Sequence, residues 1–106
     1  MMNKYEEIAN NIIFGTDNEI IDTCLTKYLT RVGKEMKAQC PAIENVCVML
    51  LDWWHTFDKN TFLNLLNLYY KEYQKTYTLA KRENNTDMID FALWVMAICE
   101  RVYCIC

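Results

Sequence analysis

Two glycines and one proline in 106 residues are very few, against average usage of roughly 7% and 5%. A β-sandwich or barrel needs turn residues every 8–12 positions or so, and this chain does not have them. One histidine is too few for a di-iron bundle, which takes two Glu-x-x-His units. The six cysteines include no Cys-x-x-Cys pair, so the usual sequence signature of a zinc knuckle is missing. No glycine-rich phosphate loop or oxyanion loop occurs either, and the chain is expected not to be an enzyme. Basic excess is absent as well: the formal net charge is −3, which gives no electrostatic reason to expect nucleic acid or an anionic membrane as a partner. The longest uncharged apolar run, Phe91 to Cys99, falls far short of the ~20 residues that cross a bilayer. No basic segment followed by an apolar segment and a cleavage site opens the chain, so the expected location is cytoplasmic, in the host cytosol if the protein is viral.

What remains is strongly helical. Hydrophobic residues make up 53% of the chain and charged residues 24%, enough to build one core and exclude disorder, and the length suits a single domain over 1–106. Tyr5, Ile8, Ala9, Ile12 and Ile13 recur at helical spacing before Gly15. Thr16 and Glu19 form a capping-box pattern at the head of a second amphipathic stripe, from Ile20 through Leu25 and Leu29 to Met36. Gly33 within it suggests a close helix crossing or an early end. Cys40-Pro41 breaks the chain, because proline disfavours helical geometry in the residue before it and suits a first turn itself. The third helix, from about Pro41 to Phe57, is apolar around almost its whole circumference. Asp58 or Asn60 can cap a fourth, whose inner stripe is Phe62, Leu65, Leu66, Tyr69, Tyr73, Tyr77 and Ala80. After a turn at Asn84-Asn85, Thr86 or Asp87 caps a fifth helix, again apolar on every side. The expected fold is all-α: a compact bundle of about five helices, with the third and fifth most buried.

Three amphipathic helices cannot fully shield two apolar ones in so small a domain, since it buries only about two-thirds of its unfolded surface. The surplus is expected to form an interface. Its candidate residues are Trp53, Trp54, Tyr70, Trp94, Met96 and Tyr103. Tyr70 stands apart because it breaks the inward Tyr69, Tyr73, Tyr77 spacing. The functional expectation is a small non-enzymatic helical protein–protein interaction module that docks on a protein partner, forms a homodimer, or both. Its asparagine-rich, lysine-over-arginine composition suits an AT-rich genome, such as that of a large DNA virus or phage, where a host-factor inhibitor or adaptor is the expected role. The alternatives are a structural subunit of a larger assembly, or a cysteine-rich zinc or redox module.

The chemistry-bearing residues favour the plain readings. Cys24 and Cys47 sit on apolar faces and read as small core side chains. Zinc would require Cys40, Cys99, Cys104, Cys106 and His55 to converge through tertiary folding, so no metal and no cofactor is expected. His55 has Asp52 three residues before it on the same face, an arrangement able to orient an imidazole, but its position near a helix end also suits simple capping. Cys104-Ile105-Cys106 resembles the doubly prenylated ends of Rab-type GTPases. The rest of the chain shares neither that family's phosphate loop nor its flexible tail.

Overall fold

The computed structural model describes residues 17–106. Among them it is entirely helical, with four helices: α1 (Asp17–Met36), α2 (Pro41–Thr56), α3 (Lys59–Arg82) and α4 (Thr86–Ile105). These are the second to fifth of the five or so helices expected. The helix expected over Tyr5 to Ile13, its stop at Gly15 and the Thr16 cap lie outside the described residues.

Local chemistry sets each boundary. Cys40 is extended (φ −149°, ψ 87°) ahead of Pro41, which takes the first turn of α2. Asp58 caps α3, its carboxylate accepting the Thr61 amide at 2.8 Å. Hydrogen bonding from Thr61, through its side chain first and its amide second, holds the Asp58 carboxyl below its ordinary pKa. α3 ends in a Schellman arrangement: Asn85 N–H donates to the Ala80 carbonyl at 3.0 Å and Asn84 N–H to Lys81 at 3.3 Å. Asn84 takes the left-handed residue there, with φ 54°, the conformation that asparagine tolerates best after glycine. Asn85 then caps α4 through the Met88 amide at 3.3 Å, so the cap is Asn85 and not Thr86 or Asp87.

The helices form two antiparallel hairpins, α1–α2 and α3–α4, each in far more extensive contact within itself than with the other. In the first, Gly33 of α1 faces α2, where an added methyl group would make ordinary contacts with Glu44 Cγ at 3.6 Å and Cys47 Cβ at 3.7 Å. The hairpins join through the two-residue link Phe57-Asp58 and through aromatic contacts. Trp53 packs edge-on against Tyr69 with centroids 5.7 Å apart, and Trp54 against Phe62 at 5.4 Å. Leu25, Leu29, Ile43, Leu50, Phe62, Leu66, Val95, Ile98, Cys99 and Val102 form the shared core.

Tyr73 and Phe91 pack 5.8 Å apart against the edge of that core, and α3 and α4 continue past it as a two-helix arm, the small buried Ala80 and Ala92 lying outside the main core cluster. The described body measures 58 × 28 × 25 Å. Its length exceeds the roughly 36 Å of the longest helix, so the hairpins overlap only in part. For this reason α2 and α4 are not the enclosed centre that was expected. α1 buries as much as either, through Ile21, Leu25, Leu29, Gly33 and Met36, and α2 and α4 each keep an open face that includes Val48 in one and Leu93 in the other.

Candidate functional site

The 100° step between neighbours on a helix sends Tyr69 and Tyr70 to opposite shoulders of α3. Tyr69 turns to Trp53 and the joint, where burial raises its phenol pKa. Tyr70 turns the other way, to α4, and its hydroxyl donates to Glu100 Oε1 at 2.8 Å. This bond to a carboxylate raises the Tyr70 pKa and keeps the phenol a donor. Around the pair, Leu66, Asn67, Cys99, Tyr103 and Cys104 complete a mostly apolar groove of about 410 Å³ between α3 and α4. Tyr103 stands at its lip, 62% exposed.

Trp94 lies nine residues before Tyr103, two and a half helical turns, and so on the opposite shoulder of α4. It is 46% exposed and, with Asp90, Leu93 and Ala97, lines a shallow depression of about 280 Å³. The six residues expected at an interface therefore divide by location. Tyr70 and Tyr103 share the groove, while Trp94 faces elsewhere. Met96 is half-buried, and Trp53 and Trp54 are half-buried in the joint between the hairpins.

A polar cleft of about 500 Å³ lies at the other side of that joint, between α1 and the α2–α3 link. Trp54 Nε1 donates to Asp22 at 2.9 Å, and His55 Nδ1 lies 3.7 Å from the same carboxylate. The carboxylate beside His55 is thus Asp22 of the neighbouring helix and not Asp52. Two further polar groups are engaged locally: Thr23 donates to the Glu19 carbonyl at 3.0 Å, and Asp58 caps α3. The arrangement is that of a clamp between α1 and α2.

All six cysteines are free thiols. Cys99 and Cys47 are buried, and burial pushes their pKa values up to about 12 and about 11, so both stay protonated and unreactive near neutrality. Cys24, expected on the apolar side, is exposed, as is Cys104. The α1 stripe that is buried runs through Ile21, Leu25 and Leu29, and leaves Cys24 one step outside it. Among the described residues no three histidine, cysteine or acidic side chains come close enough to hold a metal ion, so Cys40, Cys99, Cys104, Cys106 and His55 do not converge. No described helix is long and apolar enough to cross a membrane.

The sequence singled out Tyr70 by its broken spacing but had no signal for Glu100, its partner 30 residues away. Leu66, Asn67, Cys99 and Cys104 of the groove were likewise not legible as one site, because only the register between α3 and α4 brings them together. No family model, curated protein or solved structure matches the chain.

Proposed function

We propose that the protein is a non-enzymatic protein–protein interaction module, and that the α3–α4 groove is where a partner docks. One observation carries the reading: an apolar groove between two helices is bordered by a largely exposed tyrosine, Tyr103, and crossed by the Tyr70–Glu100 hydrogen bond. Tyrosines beside desolvated apolar pockets are the residue type that dominates binding energy at protein interfaces. A cleft between paired helices suits an amphipathic helix, which lays its apolar face along the groove and completes a three-helix layer. The Glu100 carboxylate at the rim favours a partner with a basic or hydrogen-bond-donating residue beside its apolar stripe. An adaptor or host-factor inhibitor encoded by a virus or phage fits this reading, and that origin is supported only by the asparagine- and lysine-rich composition. A permanent subunit of a larger assembly would use the same groove.

Site-specific photo-crosslinking in cells of the source organism tests the proposal. A photoreactive residue in place of Tyr103 is expected to yield a discrete adduct with another protein, and the same residue in place of Lys34 on α1 is expected to yield none. Leu66 is buried in the groove wall, so the competing substitution is Asn67→Arg, which blocks the groove from its exposed edge and should remove the adduct. Absence of any discrete adduct from Tyr103, or an adduct indifferent to Asn67→Arg, would overturn the assignment.

A further inference from the structure

The face of α4 opposite the groove is written for a second copy of itself. Asp87, Asp90, Trp94, Ala97, Arg101 and Cys104 are all exposed. Their spacing alternates three and four residues, the 3.5-residue repeat of a coiled-coil seam. From this seam we infer that the protein self-associates through an antiparallel, two-fold pairing of α4 with α4 of a second copy. The inference does not rest on the groove, which centres on the other shoulder of the helix and shares with the seam only its last residue, Cys104.

Self-complementarity of the seam commits it to this occupant. In an antiparallel pair each layer takes one residue of the first type of seam position from one chain and one of the second type from the other. Centred between Trp94 and Ala97, such a pairing sets Trp94 against Ala97 of the second copy, a large side chain over a small one. The depression of about 280 Å³ lined by Asp90, Leu93, Trp94 and Ala97 is the hollow that would receive the incoming indole. In the next layer Asp90 meets Arg101 of the second copy, and Asp87 meets Cys104 in the outermost one. Two-fold symmetry repeats each layer, so two Asp90–Arg101 pairs flank two Trp94–Ala97 layers. Neither Asp90 nor Arg101 has an ion-pair partner within its own chain among the described residues, whose only such contacts are Arg31–Glu35 and His55–Asp22. The parallel alternative places Asp90 against Asp90, Trp94 against Trp94 and Arg101 against Arg101. Repulsion and overpacking both oppose it, so the same residues that favour one orientation penalise the other.

The test is sedimentation equilibrium of the full chain over about 1–100 µM, a range that spans moderate dimer affinities. The wild-type chain is expected to be a reversible dimer. Asp90→Arg or Arg101→Asp alone turns both ion pairs into like-charge contacts, and each is expected to weaken the dimer about tenfold or more. The double exchange Asp90→Arg with Arg101→Asp restores opposite charges in every flanking layer and should recover most of the lost affinity. Trp94→Ala should abolish the dimer, whereas Tyr103→Glu, on the other shoulder, should leave it unchanged. All these positions are exposed, and unchanged helical circular dichroism will verify that each variant folds. A monomer throughout the range, a larger oligomer, single variants as tight as wild type, or a double exchange as weak as the singles would each overturn the pairing. None of these outcomes bears on crosslinking at Tyr103, which reports the groove separately.

Discussion

Trp54 and Trp94 stand in the two most apolar helices of the chain and have opposite surroundings. Trp54 is half-covered because the Phe57-Asp58 link turns α3 back at once and sets Phe62 edge-on against its ring, while Asp22 of α1 accepts its indole N–H. Trp94 lies on the shoulder of α4 turned away from the core-facing Val95 and Ile98, and its ring remains 46% exposed. The comparison separates two quantities that composition merges. Apolar content states how much cover a helix needs, and chain connectivity decides which part of it receives that cover from the same molecule.

The largest effect that would test this contrast lies beneath Trp54. Phe62→Ala empties a fully buried site in contact with that ring. It is expected to cost about 3–5 kcal/mol in urea unfolding. Trp94→Ala, measured at low protein concentration, should stay within about 0.5 kcal/mol of wild type, as exposed positions do. Equal costs at the two sites would break the comparison.

The thiols extend it to pH. Cys99 and Cys47 keep their protons in the folded chain up to about pH 12 and about pH 11, whereas an unfolded chain releases them from about pH 8.5. The unfolded state therefore binds fewer protons above that point, and stability falls as pH rises, by at most about 1.4 kcal/mol per pH unit for each thiol. Urea titrations from pH 8 to 10.5 or so should show this slope. Cys99→Ala should reduce it, while Cys104→Ala, at an exposed position, should not. The smallest expected effect is the clamp on the indole itself. Trp54→Phe retains an aromatic ring against Phe62 but removes the donor to Asp22, at a cost of about 1 kcal/mol. Trp94→Phe, with no such acceptor, should cost nothing measurable at the same low concentration.

The elements of the fold were legible wherever one residue and its immediate neighbours decide the outcome. Pro41 starts α2, Asp58 caps α3, and the Tyr69, Tyr73 and Tyr77 spacing gives the inward side of α3, because all three signals act within one or two turns. Asn84 through Asp87 offered four residues able to end or cap a helix. The left-handed conformation of Asn84 settles the choice, and only the closure of α3 onto α4 imposes it. Contacts across the chain were not legible at all. Tyr70 with Glu100, and His55 with Asp22, depend on the register of one helix against another, and neither spacing nor composition encodes that register. The groove inherits the same limit. Tyr70 and Tyr103 were both expected at an interface, yet that they line one cleft while Trp94 looks away from it follows from the packing alone.

The partial overlap of the hairpins also has a hydrodynamic consequence. A body of 58 × 28 × 25 Å is about twice as long as it is wide. Its radius of gyration of 16.2 Å exceeds the roughly 13 Å of a rounded domain of this length. Such a rod tumbles slowly about its short axes and elutes early from a sizing column. A single chain would thus run at the apparent mass of something larger, and only a measurement of mass, independent of shape, will count the copies.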